Sequence, residues 1–232
     1  MKVLNPDSIR WYTDPATGLK LPSVTSVLQL APEEPFLEKW RNSMTVEEYL
    51  AYMDKVFERG TIIHKLCEDY FNGTHSQIPL NPEYQCYING FHRFIAMYAS
   101  VITPYFTEET MACSDLGIAW TADFLCEWDG KFTLIDWKTS SSARVTGLML
   151  EKYRMQTALY VKIFEYTRGR TIEQAVVVPL TAANKNWLWK HEVMNATQIQ
   201  EYWEKAKGYI LDMNLLYNNG YLPPIFSNNY EN

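Results

Sequence analysis

Two aspartates and a lysine stand where they could do chemistry together. The stretch Ala119 to Ser140, AWTADFLCEWDGKFTLIDWKTS, holds two runs of alternating, β-branched and aromatic residues around Asp129-Gly130. Asp-Gly between such runs predicts a two-residue type I′ turn, and so a β-hairpin in which Trp128 faces Lys131. Counting outward, Asp123 falls opposite Asp136, and Thr121 opposite Lys138. Residues two apart on a strand share a face, so Asp136 and Lys138 point the same way. Facing Cβ atoms lie roughly 4.5–5.5 Å apart, where like charges destabilise a sheet. A divalent cation between the two carboxylates would remove that cost. The other reading of Asp-x-Lys is solvated strand surface. Against it stand the apolar Phe132, Leu134 and Ile135 before the motif, the register-matched Asp123, and Thr139-Ser140 after it.

Other elements must position this hairpin. Thr45 and Glu48 form a capping box that opens a helix running towards Arg59. Gly60 marks a bend or a new start, and Thr61 to Phe71 is amphipathic, closing at Asn72-Gly73. His64 and Glu68, four apart, share a face, which makes Glu68 a candidate to orient the His64 ring. Asn81-Pro82 opens a further helix whose Tyr84, Tyr87, Ile88, Phe91, Phe94, Ile95 and Tyr98 form a core stripe, with Pro104 ending it. Phe106 to Cys113 reads as the first strand, with Glu108 and Glu109 on opposite faces; one of the two could join the site. After a polar linker around Arg144, Gly147 to Thr167 is a long helix. On it Gln156 and Tyr160 share a face, with Tyr153 adjacent. Ile172 to Leu180 and Trp187 to Met194 read as paired strands. Thr197 to Gln200 reads as a second capping box, opening a helix to about Leu216. Residues 1–20 read as irregular, with turn signals at Asp14-Pro15 and Thr17-Gly18. In the following LPSVTSVL, hydroxyls could meet phosphate oxygens, or Ser23 could cap a helix.

Taken in order, Gly60 to His64, Asp123, Asp136-Trp137-Lys138 and Gln156 to Tyr160 resemble the signature of the PD-(D/E)xK nuclease superfamily in its RecB-like exonuclease branch. The resemblance covers most of residues 21–210. It implies an α/β (α+β) fold with a restriction-endonuclease-like core, a mixed central sheet flanked by helices. It divides one nuclease domain into an N-terminal helical portion, about 21–102, and a catalytic core, about 103–216. The polar, Pro-interrupted tail, 217–232, reads as partly disordered. By the same resemblance Asp123, Asp136 and Lys138 are catalytic, and His64, Asp123, Asp136 and the Trp137 backbone carbonyl hold a metal. Gln156, Tyr160 and Tyr153, with Ser23 and Thr25, would contact the substrate. Such oxygen donors suit Mg²⁺ or Mn²⁺, and an imidazole tilts the preference towards Mn²⁺. The implied substrate is DNA, single strands preferred, entered from a free end. A catalytically inactive DNA-binding module of this fold and a structure-specific endonuclease are the other readings.

Composition bounds the rest. At 232 residues, 47% hydrophobic and 21% charged, the chain can bury the core of one domain. No apolar run reaches membrane-spanning length. The first residues have neither a signal-peptide core nor the arginines of a transit peptide, so a cytoplasmic, phage or bacterial setting is expected. A net charge of −6 argues against a protein that coats DNA, but residues 139–208 hold ten Lys/Arg against six Asp/Glu, a local surplus of four. Cys67, Cys86, Cys113 and Cys126 include no Cys-x-x-Cys pair, so free thiols are expected rather than an iron–sulfur cluster.

Overall fold

The structure, a computed structural model, describes residues 8–74, 81–141, 145, 147–181 and 191–218. The linker around Arg144, the start of the strand expected from Trp187 and the tail from residue 219 lie outside them.

The central hairpin forms as its sequence requires. β4 (Ile118–Trp128) and β5 (Lys131–Ser140) join through Asp129 and Gly130, whose φ values of 53° and 75° are the type I′ pattern, and Trp128 pairs with Lys131. Around it lies a five-stranded mixed sheet in the order β3-β4-β5-β6-β7, with β3 (Ile102–Cys113), β6 (Gln174–Thr181) and β7 (Glu192–Asn195). Only β5 and β6 are parallel, because the long helix α5 (Gly147–Arg168) lies between them in the chain. β3 begins four residues before the strand expected at Phe106 and runs through Pro104. Pro is tolerated there because β3 is an edge, and a bulge at Tyr105 shifts the register.

Within residues 1–20, expected to be irregular, a small hairpin begins, β1 (Trp11–Thr13) with β2 (Lys20–Pro22). Its loop is built on Asp14, which accepts the Ala16 N–H at 2.9 Å and the Thr17 hydroxyl at 3.0 Å. Ser23 then bridges to Ala119, fastening this hairpin to β4.

Helices cover both faces of the sheet. On one, α1 (Val24–Val27), α5 and α6 (Ala196–Asn218) enclose a core that includes Trp120, Leu134, Leu159 and Met213. On the other, α3 (Val46–Phe71) and α4 (Gln85–Tyr98) bury Phe91, Phe94, Phe124 and Trp137. The short α2 (Pro35–Arg41) precedes α3. No helix among the described residues is long and apolar enough to cross a membrane.

Local chemistry sets the helix starts. Thr45 and Glu48 make the reciprocal capping box at α3. At α6 the box is made by Asn195 and Gln198, at 3.1 and 3.0 Å, rather than starting at Thr197. Both sites offer a side-chain acceptor three residues before a Gln or Glu, and the spacing alone does not choose between them. At α5 the Glu34 carboxylate accepts the Leu148 N–H at 2.7 Å, an anion at the positive end of the helix.

α3 is one helix of 26 residues, with no break at Gly60. Nothing lies within 4 Å of a Cβ added there. Glycine inside a helix is less stable than alanine by roughly 0.5–1 kcal/mol. Gly60→Ala is therefore expected to stabilise the protein by about that amount. Urea unfolding of the two proteins checks this, and a lower midpoint for the variant would mean Gly60 is needed for a bend.

Candidate active site

The site lies where two strands part. β4 and β5 pair from Trp128↔Lys131 to Phe124↔Ile135, and the ladder stops there. Continued, the same register would bring Asp123 opposite Asp136 and Thr121 opposite Lys138, but neither pair forms a rung. Instead Asp123 Oδ2 accepts the Trp137 N–H at 2.9 Å, a side chain in place of a strand carbonyl.

β3 and β4 deform at the same level. Glu108 has φ 50°, unusual for a residue other than glycine and the kind of backbone strain that gathers at functional sites. Thr107↔Phe124 and Glu109↔Ala122 pair on either side of it. The residues that face α5 switch from Trp120 and Ala122 to Leu125 across Asp123. Strict two-residue alternation would place every side chain from Thr121 to Trp128, and it fails at this level. The resulting gap lets side chains from both layers meet.

Five ionisable side chains converge there. His64 Nδ1 lies 3.5 Å from Asp123 Oδ1 and 3.8 Å from Glu108 Oε1. Lys138 Nζ lies 2.6 Å from both Asp136 oxygens. Asp136 Oδ2 is enclosed and accepts no hydrogen bond of good geometry, because the ammonium is aimed at Oδ1. Lys138 also stands over the Tyr153 ring, 5.3 Å from its centroid.

The two cations relieve the like-charge conflict expected between the aspartates. Burial favours the neutral form of Asp123, but the His64 charge, the His64 hydrogen bond, Lys138 and the Trp137 N–H outweigh it and hold that carboxyl below its ordinary value. At Asp136 burial prevails over Lys138, and Asp123 adds to it, pushing the carboxyl up to about 7. Burial also works against the charge on His64, yet Asp123 and Glu108 push the imidazole up to about 10. Lys138 is raised as well, its burial overcome by Asp136 and Asp123.

These groups line a pocket of about 580 Å³, together with Gly60, Thr61, Lys65 and Phe57 of α3, Thr121, Gln156 and Tyr160. Gln156 and Tyr160 are hydrogen-bonded to each other and nearly buried, so they form its inner wall. Tyr160 stacks on Trp120 at 4.2 Å and 12°, which makes Trp120 a support inside the core. Thr25 reaches the pocket; Ser23 does not. Ser23 is buried and its hydroxyl caps α1, accepting the Ser26 N–H at 3.1 Å. Glu68 lines the pocket but bonds Lys65 at 2.9 Å, while His64 is held by Asp123 and Glu108, so Glu68 does not orient the ring. Helical spacing showed that Glu68 and His64 share a face and could not show the strand carboxylates that lie nearer.

Of the two strand glutamates, Glu108 faces the site and Glu109 pairs with Arg168. Sequence reasoning missed Arg10, which lines the pocket from the end of the β1–β2 hairpin. The short alternating run around a Pro-and-Gly turn was the signal for that hairpin.

His64, Glu108 and Asp123 can each bring one donor atom within 4.8 Å of the others, a group able to hold a metal ion. An imidazole nitrogen with carboxylate oxygens fits a divalent cation. His64 could serve only as the neutral imidazole, so uptake of an ion displaces its proton. Cys67, Cys113 and Cys126 are buried and Cys86 partly so, and all four are free thiols.

The fold and site together define a class: a mixed α/β protein with a charged pocket at a strand fork, in which His64, Glu108 and Asp123 form a group that could hold a metal ion. Comparison with known proteins is more particular. Over 132 residues the chain is 29% identical to mitochondrial genome maintenance exonuclease 1 of Mus musculus. The match covers 53% of this chain and 38% of that protein, so the chain spans well under half of its relative's length. A crystal structure from Eubacterium rectale, of a protein with a provisional exonuclease assignment, shares 12% identity at a TM-score of 0.49, over 70% of this chain and 68% of that one. No protein-family model matches the chain.

Proposed function

We propose that this protein is a divalent-metal-dependent DNA exonuclease of the PD-(D/E)xK type, RecB-like branch, hydrolysing phosphodiester bonds in single strands from a free end. The observation that carries the reading is the convergence of His64, Asp123, Asp136 and Lys138, far apart in the chain, on one pocket walled by Gln156 and Tyr160. The sequence similarity to a protein named as an exonuclease supports it. In this reading the sheet with its α5 and α6 layer, about residues 103–216, is the catalytic core, and the helices of about 21–102 flank its mouth.

Asp123, His64 and Glu108 would hold Mg²⁺ or Mn²⁺, with Asp136 and the Trp137 carbonyl as further ligands. The bound ion would supply positive charge at the phosphate and lower the pKa of water. Every other task falls to the protein. Lys138 keeps its proton and presents it where negative charge develops on phosphate oxygen, and it orients the attacking water. Tyr153 backs the Lys138 ammonium with its ring face. Gln156 and Tyr160 fix the inner wall, and the exposed Phe57 offers an apolar lip for unpaired bases.

End-labelled linear single strands, the matching duplex and closed circular single strands, each with Mn²⁺, test the reading. Linear single strands should be degraded, circles should stay intact, and excess chelator should stop the reaction. The rate should fall steeply with salt, as phosphate contacts require. Circles cut as fast as linear strands would make it an endonuclease, and no cleavage of any of the three would sink the nuclease reading.

A further inference from the structure

We propose that Arg10 is a phosphate-binding residue of this pocket, gripping a phosphodiester next to the one being cut. The inference rests on the nuclease reading above and extends it to a residue outside the stretch that resembles known nucleases, residues 21–210.

Three observations carry it. First, Arg10 stands differently from the other cations lining the pocket. Lys65 is held by Glu68 and Asp69, Lys138 by Asp136, and His64 by Asp123 and Glu108. Arg10 lines the pocket too and has no carboxylate partner among the described residues. Second, the residue is built in. Its backbone N–H donates to Ser26 Oγ at 2.9 Å, and its carbonyl accepts the Ser23 N–H at 2.8 Å. Its guanidinium carbon lies 5.2 Å from the Tyr12 ring centroid. The Tyr12 hydroxyl lies 3.2 Å from Thr121 Oγ1, which lies 3.0 Å from Thr110 Oγ1. A side chain resting on a ring that is itself pinned to β4 loses less freedom on binding. Third, the chemistry matches. Guanidinium groups bind phosphate through two parallel N–H donors, and the pocket already presents four carboxylates that repel a polyanion. A cation left free of them gives the strand a foothold beyond the metal-binding group.

The test uses the full chain and a fluorescent single-stranded oligothymidylate. Binding is measured by anisotropy with Ca²⁺ in place of Mn²⁺, over a salt series, for wild type, Arg10→Gln and Arg10→Lys. Cleavage kinetics with Mn²⁺ accompany it. Arg10→Gln should weaken binding about tenfold. It should also flatten the dependence of log affinity on log salt by about 0.7, the share of one phosphate on a single strand. Arg10→Lys should keep the slope and recover part of the affinity. With Mn²⁺, KM should rise more than kcat falls. Thermal melts show whether the variants fold, and the exposed side chain gives no reason for them to differ. A wild type that binds and cuts the strand, with Arg10→Gln equal to it in affinity and slope, would overturn the assignment while leaving the nuclease reading intact. A wild type that neither binds nor cuts overturns both.

Discussion

Lys138→Met should abolish cleavage, a loss of about a hundredfold to a thousandfold or more, since it removes a charge aimed at the developing phosphate anion. It should also destabilise the fold, and by an amount that depends on pH. In the folded protein Asp136 keeps its proton up to about pH 7, against an ordinary value of 3.8. Between those values the unfolded chain ionises first, so burying this carboxyl weakens the fold as pH rises. Above about pH 7 the carboxylate is charged and Lys138, 2.6 Å away, offsets its burial. Methionine fills the space without the charge. Asp136 then either sits buried and unpaired or holds its proton to higher pH, and the penalty goes on growing. Because the carboxyl can hold its proton instead, that extra penalty is capped at about 1.4 kcal/mol per pH unit above 7, which sets the expected deficit near pH 8.5 at about 2 kcal/mol. The deficit should shrink as pH falls through 7 towards about 5, where the carboxyl is neutral in both proteins. Urea unfolding across this range reads it, and a deficit independent of pH would show that Asp136 and Lys138 are not coupled.

Asp123→Asn should lose both cleavage and most of the stabilisation that Mn²⁺ gives the wild type. Asp123 meets His64 at 3.5 Å and belongs to the group able to hold an ion, and anything that binds only the folded state raises its stability. In excess chelator the variant should melt lower than wild type. Hairpin register alone argues the reverse, that removing one of two facing carboxylates relieves repulsion. The structure changes the sign, because the Asp123 charge is matched by His64 and Lys138 and its Oδ2 holds the Trp137 N–H. An asparagine oxygen can keep that hydrogen bond, but the charge on His64 then rests on Glu108. Thermal melts with chelator and with Mn²⁺ decide. Equal metal-induced shifts in the two proteins would remove Asp123 from the metal group.

Much of this was legible in the chain because it is local. The Asp-Gly turn fixes the register of β4 against β5, and periodicity places the α4 stripe in the core. The Gly60-to-His64 and Gln156-to-Tyr160 spacings each point two residues from one helix face. What escaped depends on contacts between distant segments or on a broken rule. The orientation of Glu108 follows from a positive φ that no residue type at that position announces. Asp123 sits where strand alternation fails, so counting predicts an Asp123–Asp136 rung that does not form and misses its actual neighbours. Arg10 needs a three-residue strand pair to be recognised. Ser23 offered two uses for one hydroxyl, and only the position of Ser26 decides for the cap.

Mechanically, α3 is a cantilever. Its clamped end begins at Ile63 and is seated in the core through Leu66 and Cys67. The fifteen residues from Val46 to Gly60 include none that is buried, and along roughly 22 Å the arm is propped at points: Trp40 packs on Tyr49 and Tyr52, and Arg59 donates to Thr139 Oγ1 at 3.3 Å and stands over the Tyr87 ring. Phe57 is exposed just beyond the Arg59 prop, and His64 is at the clamp, two turns apart on the same rod. A push on Phe57 would be shared between that prop and the end of the rod that sets how far His64 stands from the strand carboxylates.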